Sequence, residues 1–308
     1  MARVLVFAPA PLVTVTIEEY LERPDVHLHV GGQGVWQARM LVALGVEVAL
    51  VCTVAGETGI VARRLLEDEG FDVVAVAREA VGPALVVDRR SGERVTVVEA
   101  LGEPLARHDL DSLFSAALSE APRADLVVLS GPEGEEMIDA DVYRRLASDV
   151  RQLGRRVLVD LAGARLAAAL DGGVDVLKVS HQELEADGRV QDGDDERQLL
   201  AAASELAGSG IQLVAVTRGD AGSLVISQEG AWRVFAPELE PVETRGAGDS
   251  YTAAIAAVLA TGGSYADAIR LGAAAGAVNA TRRGLGTGDA EAIRAIAERV
   301  ELQTIEED

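Results

Sequence analysis

The sequence of 308 residues has one cysteine, one lysine, two tryptophans and no long apolar run. The single cysteine, Cys52, excludes an internal disulfide, which is typical of proteins kept in a reducing compartment. It lies in the apolar run VEVALVCTV, where a buried and inert thiol is expected. Because no apolar run approaches the roughly 18 residues of a membrane helix, and the first residues lack the pattern of a signal peptide, we expect a soluble cytoplasmic protein.

Basic side chains are also scarce, since 28 Lys and Arg stand against 50 Asp and Glu and leave a formal net charge of -22. All but one of these basic residues are arginine, and the exception is Lys178. So negative a field repels phosphate backbones and anionic lipid surfaces. The arginines form only isolated doublets such as Arg89 and Arg90, so neither nucleic acid nor a membrane is expected as a partner.

Several common catalytic motifs are absent as well. The sequence contains no G-x-x-x-x-G-K-[ST] phosphate loop and no G-x-S-x-G elbow, which excludes Walker-type nucleotide hydrolases and α/β-hydrolases. Its four histidines show no spacing with acidic or cysteine partners that would indicate a metal site. His27 and His29 alternate along a predicted strand and are expected to be packed or exposed to solvent.

Short β-branched runs alternate with helical patterns over most of the chain. This alternation predicts one α/β domain over residues 1–308, with a mainly parallel sheet covered by helices on both faces. Two segments, 84–100 and 222–238, instead predict antiparallel hairpins around the turns Arg-Ser-Gly-Glu and Gln-Glu-Gly. After the second hairpin the pattern is almost wholly helical, and the last residues, LQTIEED, are predicted to be frayed.

The segment ETRGAGDS carries the strongest indication of chemistry. It joins the second hairpin to a predicted Ala-rich helix, so Gly246, Ala247 and Gly248 fall in the first turn, where free backbone N–H groups and the helix dipole attract anions. Asp249 follows at once and could accept a proton from a substrate hydroxyl while the amides hold a transferring phosphoryl group. A glycine-rich turn with Asp249 as a simple helix-start carboxylate would have the same sequence.

A cluster of small residues precedes the first predicted helix. Gly31, Gly32 and Gly34 surround Gln33, and so many glycines would let the backbone approach a ligand or form a tight strand-to-helix turn. Trp36 lies in the helix that follows, where it would either pack on a helix face or stack on a flat ligand.

Two loops follow predicted strands, at the edge where open α/β sheets bind ligands. The loop from Thr217 to Gly222 would line a nucleotide site or form an ordinary turn into the second hairpin. In KVSHQE, Lys178 and Glu183 suit a nucleotide triphosphate and its magnesium ion. A surface lysine and a helix-start glutamate would have the same pattern.

In their order along the chain, these segments resemble the PfkB/ribokinase family of carbohydrate kinases. GGQGVWQARMLVALG and VAGETG carry the resemblance near the N-terminus, and ETRGAGDSYTAAI is similar to the D/S-T-x-G-A-G-D signature. LKVSHQELE and VTRGDAGSLV resemble the K-P-N-x-x-E segment and the T-x-G-x-x-G nucleotide loop. RRGLGTGD is similar to the G-T-G stretch of the phosphofructokinase and tagatose-phosphate kinase branch, and the match runs nearly end to end.

The resemblance implies a ribokinase-like fold and a transfer of the γ-phosphoryl group of ATP, with magnesium, to a hydroxyl of a sugar or sugar-like molecule. Asp249 would be the general base, and the amides of Gly246, Ala247 and Gly248 would form the anion hole. Glu183 would orient the magnesium ion. The other residues expected at the nucleotide are Lys178, Ser180, Thr217, Gly219, Gly222 and, in the adenine pocket, Asn279. Those expected at the acceptor are Gly31, Gly32, Gln33 and Trp36.

The resemblance also implies a small β lid, built from about residues 12–31 and 82–100. Such a lid would cover the sugar and exclude water, so that ATP transfers its phosphoryl group to the acceptor rather than to water. It would also form the contact of a homodimer.

The acceptor side departs from the family's pattern. The usual N-P-x-x-D becomes Ala8-Pro9-Ala10-Pro11-Leu12, and the lysine and asparagine of G-G-K-G-x-N become Gln33 and Trp36. Pro83-Ala84 replaces the phosphate-binding Thr-Arg pair, and Ser180 replaces the asparagine of the metal loop. These changes predict a more apolar acceptor pocket. They leave two alternatives open: a kinase-fold protein that binds a nucleotide or metabolite without catalysis, and a nucleoside kinase in which Trp36 stacks on the base.

Overall fold

Two sheets organise the chain in this computed structural model, which describes residues 1–21, 23–282 and 284–306. One has ten strands and the other, called here the small sheet, has four. In chain order the strands are β1 (Arg3–Phe7), β2 (Leu12–Tyr20), β3 (Arg23–Gly31), β4 (Glu47–Ala55), β5 (Asp72–Arg78), β6 (Ala84–Asp88), β7 (Val95–Ala100), β8 (Leu126–Ser130), β9 (Arg156–Asp160), β10 (Val176–Ser180), β11 (Leu213–Thr217), β12 (Ser223–Ser227), β13 (Gly230–Phe235) and β14 (Glu301–Thr304).

Helices connect most of these strands. The α-helices are α1 (Gln33–Ala43), α2 (Gly56–Asp68), α3 (Arg107–Glu120), α4 (Asp141–Gln152), α5 (Gly163–Gly172), α6 (His181–Ala186), α7 (Glu196–Gly208), α8 (Ala247–Ala260), α9 (Tyr265–Ala280) and α10 (Ala290–Ala297). Short 3₁₀ helices span Ala121–Arg123, Glu135–Met137 and Gly219–Ala221. Over the described residues, none of the helices has both the length and the apolar composition needed to cross a bilayer.

The large sheet has the strand order β14-β13-β12-β11-β10-β9-β8-β1-β4-β5. From β11 to β5 neighbouring strands pair in parallel, whereas β12, β13 and β14 add antiparallel strands at one edge. In β1, Val4 and Val6 pack into one core with α1, α8 and α9, and Leu5 and Phe7 pack into a second core with α3, α4 and α7. Helices therefore cover both faces of a mainly parallel sheet, which confirms the predicted fold class.

The continuous apolar character of the central strands follows from this burial on both faces. Cys52, in β4, is fully buried, and burial raises the pKa of its thiol to about 12. A thiol that stays protonated is a poor nucleophile. Cys52 therefore has the environment of an inert core residue, as the sequence predicts.

The small sheet has the order β3-β2-β6-β7. Its strands come from the two segments for which the sequence predicts a lid. Side chains alternate between its faces: the pair Thr14 and His29 points to one face, and the pair Val15 and Leu28 points to the other. The first face lines a cavity, and Leu28 on the second is 49% exposed.

Both predicted hairpins form, as β6 with β7 and β12 with β13. The prediction of a frayed tail is wrong for residues 302–304, because they belong to β14 (Glu301–Thr304), which pairs antiparallel with β13. Thr304 lies opposite Trp232, and the added strand satisfies backbone groups that β13 would otherwise expose at the edge of the sheet. The sequence ELQT conceals this strand because it lacks an apolar alternation.

Candidate active site

Four neighbouring parallel strands end in polar residues at one edge of the large sheet. β8 ends at Ser130, β9 at Asp160, β10 at Ser180 and β11 at Thr217. Ser130 lies opposite Asp160, and Ser180 lies opposite Thr217, in the strand register. Since the carboxyl ends of parallel strands are where α/β proteins bind ligands, this edge is the candidate active site.

Lys178 and Asp160 form a buried ion pair at this edge, with Nζ 3.0 Å from Oδ1. Burial lowers the pKa of Lys178, but the negative charges of Asp160, Glu183 and Asp249 outweigh it and raise that pKa above its ordinary value. The sequence places Lys178 at the end of the predicted strand VDVLKVS, as a nucleotide contact. In the structure Lys178 lies within β10, opposite Asp160 of β9.

Gln37 and Thr252 complete a polar network around Asp160. Thr252 Oγ1 donates to Asp160 Oδ2 at 2.7 Å, and Gln37 Nε2 donates to the same oxygen at 3.1 Å. Gln37 Nε2 also lies 3.5 Å from Asp249 Oδ1, while its Oε1 accepts a hydrogen bond from the Ser130 hydroxyl. One fully buried amide therefore connects the strand ends to Asp249.

The residues Gly246, Ala247 and Gly248 form the turn that begins α8. Gly246 precedes the helix with φ at 78°, in the left-handed region that glycine adopts without a steric penalty. Within residues 1–21, 23–282 and 284–306, the N–H of Gly248 has no hydrogen-bond partner, and that of Ala247 donates to the Thr244 carbonyl at a long 3.3 Å. Such amides at a helix start suit an anion.

Asp249 lies in the first turn of α8, next to this turn. Burial raises the pKa of its carboxyl to about 8, helped by the negative charges of Asp160 and Glu183, while Lys178 works in the opposite direction. A carboxylate with a pKa in this range is a stronger base than an ordinary aspartate and matches a general base near neutral pH.

Ser180 and Glu183 form a capping box at the start of α6. The N–H and hydroxyl of Ser180 donate to Glu183 Oε2 at 2.7 and 2.8 Å, and the Glu183 N–H donates to the Ser180 hydroxyl. Across the described residues, no group of three or more His, Cys, Asp or Glu could hold a metal ion by itself. Mg²⁺ needs only one or two protein carboxylates in addition to phosphate and water. Because the capping box uses only Oε2 of Glu183, this side chain fits a magnesium ion that is bound together with a nucleotide.

The loop after β11 carries three of the residues expected at the nucleotide. Thr217 ends the strand, and its carbonyl oxygen lies 3.1 Å from His181 Nδ1. Gly219 begins the 3₁₀ helix Gly219–Ala221, which Gly222 follows, and Arg218 forms an ion pair with Glu196 at 2.8 Å. The loop is thus the turn into the β12–β13 hairpin, and it also lies at the ligand-binding edge beside Ser180.

Asn279, which the resemblance implies for the adenine pocket, lies in α9 and contacts the backbone on both sides of its side chain. Its side chain is fully buried, Nδ2 donates to the Arg245 carbonyl at 2.9 Å, and Oδ1 accepts from the Thr287 N–H at 3.2 Å. Both polar atoms are therefore used within the protein. Asn279 therefore holds the backbone just before Gly246.

A cavity of about 870 Å³ is lined by the small sheet and by the body of the protein. Of the residues expected at the acceptor, Gly31 and Trp36 line this cavity. The other two do not: Gly32 precedes α1, and Gln33 Oε1 accepts a hydrogen bond from the Gly131 N–H at 2.8 Å. Leu12 also lines it, at the place where the resembled family carries a sugar-binding aspartate.

Several residues of the site have no counterpart among the sequence-based candidates. Asp160 lies within the predicted strand RVLVDLA, and in the structure it is the last residue of β9. Gln37 and Thr252 are single polar residues within helices, and nothing in their spacing indicates that they meet Asp160. Distant segments also bring Arg94 and Arg245 together at the cavity, which no local pattern predicts.

Comparison with known proteins agrees with this geometry. The sequence profile described as pfkB family carbohydrate kinase matches residues 10–292. The ATP-dependent 6-phosphofructokinase isozyme 2 of Mycobacterium tuberculosis is 31% identical over 293 residues, which cover 89% of this chain and 83% of that protein. The 1-phosphofructokinase of Haloferax volcanii is 30% identical over 286 residues, covering 87% of this chain and 88% of the relative.

Solved structures give the same result. The crystal structure of phosphofructokinase-2 from Escherichia coli in complex with potassium superposes with a TM-score of 0.86 at 26% identity, covering 97% of this chain and 99% of that chain. A further structure of the same enzyme is its tetrameric inhibited form. The family resemblance drawn from the sequence is confirmed, and neither alternative, a silent binding protein or a nucleoside kinase, is favoured. The chain belongs to the pfkB family of carbohydrate kinases and is an ATP-dependent sugar kinase.

Proposed function

We propose that Asp249 is the general base of the phosphoryl transfer, and that the turn before it forms the anion hole. The observation that carries this proposal is the position of Asp249 in the first turn of α8, with a raised pKa and directly after the Gly248 amide. A base and a set of anion-binding donors at one helix start are the two parts that such a transfer needs.

The transfer is a direct displacement at the γ-phosphorus of ATP. The acceptor hydroxyl oxygen forms the new P–O bond, the bond to ADP breaks, and the hydroxyl proton passes to Asp249. The amides of Gly246, Ala247 and Gly248 hold the charge that develops on the transferred group, and Lys178 adds a positive charge beside Gly248. Positioning and electrostatic stabilisation supply most of the catalysis in reactions of this type.

The nucleotide would lie along the edge formed by β10 and β11. Ser180, Thr217, Gly219 and Gly222 belong to this edge, and Lys178 lies beneath it. Glu183 would hold a magnesium ion that screens the charge of the phosphates. The family resemblance supports this arrangement, and the ion pair between Lys178 and Asp160 makes Lys178 an internal electrostatic group more than a flexible ligand to phosphate.

The acceptor would occupy the cavity beneath the small sheet, against Gly31 and Trp36. In this arrangement the small sheet acts as a lid that excludes water from the transfer. Wild-type enzyme should therefore hydrolyse ATP slowly without an acceptor.

We also propose that the outer face of the small sheet forms a homodimer contact. This face is apolar: Val26, Leu28, Val95 and Val98 are each about half exposed, at 49 to 55%. The strand register places them on the side opposite Thr14 and the cavity. Exposed apolar patches of this kind mark interaction sites, and a second copy of the chain would cover the patch with the same face.

The proposed reaction is tested by measuring ADP formation with a panel of sugars and sugar monophosphates, in the presence of ATP and magnesium chloride. We expect at least one acceptor to raise the rate far above the acceptor-free rate, with one phosphorylated product formed for each ADP. A rate that no acceptor changes, despite measurable ATP binding, would contradict the reaction.

A further inference from the structure

Gln37 lies on the apolar face of α1, although its side chain is polar. Its neighbours on this face, among them Val35, Ala38 and Leu41, are buried, and Gln37 itself has no exposed surface. An amide that is removed from water costs free energy unless its polar atoms are hydrogen bonded. The roles proposed for Asp249 and the anion-hole turn give this amide no task of its own.

A glycine one turn earlier brings the amide to the ends of the strands. A Cβ on Gly34 would lie 2.5 Å from the Cβ of Ala8 and 3.3 Å from that of Ser130. Helix α1 therefore approaches the ends of β1 and β8 more closely than a larger residue would allow. Gln37 is three residues further on, on the same side of the helix. This close approach places its amide beside Ser130 and Asp160.

Hydrogen bonds fix the orientation of the amide. Gln37 Oε1 accepts from the Ser130 hydroxyl, and the Tyr143 hydroxyl holds Ser130 in turn by donating to its carbonyl at 3.0 Å. Nε2 points the other way, toward the carboxylates of Asp160 and Asp249. A reversed amide would place its oxygen against carboxylate oxygens, which donate no hydrogen bond when they are charged. The two N–H groups of one amide are therefore divided between two carboxylates.

The amide contacts Asp249 from the interior. Gln37 is fully buried, whereas Asp249 is partly exposed at the start of α8. Nε2 lies 3.5 Å from Asp249 Oδ1, and long contacts of this kind in an empty active site commonly tighten when substrates bind. Within the described parts of the chain, Oδ2 of Asp249 accepts no hydrogen bond. One carboxylate oxygen is therefore engaged, and the other is free to accept a proton.

We propose that Gln37 is a positioning residue for the proton transfer, because its amide holds Oδ1 of Asp249 so that Oδ2 faces the acceptor hydroxyl. This proposal rests on the proposed function, in which Asp249 is the general base. As the acceptor oxygen bonds to the γ-phosphorus and ADP leaves, the hydroxyl proton passes to Oδ2 while Oδ1 keeps its hydrogen bond. The same amide fixes Asp249 relative to Asp160, the ion-pair partner of Lys178.

A neutral amide suits this role better than a charged side chain. A cation at position 37 would stabilise the charge of Asp249 and weaken it as a base, and a carboxylate would add a further negative charge. Burial raises the pKa of Asp249 to about 8, and the hydrogen bond from Gln37 acts in the opposite direction. The charged groups that face Asp249 are Asp160 of β9, Lys178 of β10 and Glu183 of α6. Loss of the amide, with these three groups in place, should misplace Asp249 and raise its pKa.

The test compares two variants with one control. Gln37→Met keeps the length of the side chain and removes its hydrogen bonds, and Ser130→Ala keeps the amide but removes the hydroxyl that orients it. The control is Tyr251→Phe, since Tyr251 is also buried in α8 and its hydroxyl lies 3.0 Å from Ser223 Oγ. This change removes one buried hydrogen bond near Asp249 without a contact to its carboxylate.

Two measurements are made on each protein. The first is single-turnover transfer from ATP to an acceptor that the wild type uses, from about pH 6 to 10, with the Kd of ATP determined on the same samples. The second needs no acceptor: infrared difference spectra against Asp249→Asn follow the C=O stretch of the protonated Asp249 carboxyl as the pH is raised.

We expect the transfer rate of Gln37→Met to fall by about 10-fold or more, as for a misplaced reacting group, with ATP Kd within about threefold of the wild type. The loss should persist at pH values where Asp249 is deprotonated in both proteins, because loss of a proton does not restore the position of the base. Ser130→Ala should show a smaller loss of the same kind, and Tyr251→Phe should behave as the wild type. The infrared titration should move up by about half a pH unit or more in Gln37→Met, as for one lost hydrogen bond.

A transfer rate for Gln37→Met that returns to the wild-type value at high pH would overturn the proposal, and so would an equal loss in Tyr251→Phe. If Gln37→Met does not fold, an unchanged rate in Ser130→Ala overturns it. If no acceptor is phosphorylated, the proposed function fails, and the infrared titration alone decides whether Gln37 holds Asp249. An unchanged titration in Gln37→Met would then contradict the contact.

Discussion

Lys178 Nζ lies 3.0 Å from Asp160 Oδ1 and 2.9 Å from the position that a Cβ on Gly248 would occupy. The one lysine of the chain therefore lies between a buried carboxylate and the turn proposed to hold the transferred phosphoryl group. Its charge compensates Asp160 and opposes the rise in the pKa of Asp249 that burial causes. This relationship gives Lys178 both a structural and an electrostatic role.

Replacing Lys178 by methionine should destabilise the fold, because Asp160 would lose its ion-pair partner in the interior and would have to bury an uncompensated charge or take up a proton. Breaking a buried pair from one side commonly costs about 3–5 kcal/mol. Urea unfolding measures this cost. The matched control is Arg64→Met, since Arg64 pairs with Asp68 on the surface at 2.7 Å, and such exposed pairs contribute at most about 1 kcal/mol. Equal losses in both variants would contradict the structural role of Lys178.

Replacing Gly248 by alanine should lower activity while leaving stability nearly unchanged. The new methyl group would contact Lys178 Nζ, which is the flexible end of a side chain and can move. The displaced charge would no longer lie beside the anion-hole turn, so kcat should fall by about 10-fold, less than the roughly 10²–10³-fold loss on removing a donor outright, because the charge is moved and not removed. Ala257→Gly, later in α8, is the control for a change of one methyl group in this helix. An unchanged kcat would show that Lys178 does not act on the transferred group.

The pKa of Asp249 predicts a specific dependence of stability on pH. A carboxyl whose pKa is raised to about 8 in the folded state keeps its proton there while the unfolded chain has lost it. Between about pH 4 and 8 the wild type should therefore lose up to about 1.4 kcal/mol per pH unit relative to Asp249→Asn. Above pH 8 the difference should level off. Urea unfolding of both proteins without nucleotide, from pH 5 to 9, measures it, and parallel curves would exclude the raised pKa.

The proposed homodimer contact predicts that a charge on the outer face of the small sheet produces monomers. Leu28→Glu would place a carboxylate in the centre of the apolar patch, whose burial would then be unfavourable. Light scattering after size exclusion should show the mass of one chain, about 32.2 kDa, for this variant and twice that for the wild type. The control is Leu153→Glu, at an equally exposed leucine beside α4. A wild type that is itself monomeric would contradict the contact.

Much of the fold could be predicted because its signals are local. Strands such as RVLVF and LVVLS are continuous apolar runs that only a sheet buried on both faces accommodates. The helix Gly163–Gly172 had no such signal, because its sequence GARLAAALDG carries glycines at both ends and a short apolar stripe. The sequence also gives no indication of the tail strand Glu301–Thr304. Pairing with β13 holds this strand in place, and its own residue pattern does not.

The candidate site, too, could be predicted from the sequence only in part. Asp249 and the glycines before it could be predicted because one helix start brings them together. The network of Gln37, Asp160 and Thr252 could not, because its bonds join segments about 90 or more residues apart. Arg94 and Arg245 likewise meet only after the small sheet has formed.

The central claim is that Asp249 removes the proton from the acceptor hydroxyl. Asp249→Asn keeps the shape of the side chain and the contact with Gln37 but cannot accept the proton, so the rate of phosphoryl transfer should fall by at least about 10²-fold. The measurement is single-turnover transfer from ATP to an acceptor that the wild type uses, with ATP affinity determined on the same samples. We predict a large loss of rate with ATP Kd within about threefold of the wild type. Transfer at a rate close to that of the wild type would contradict the claim.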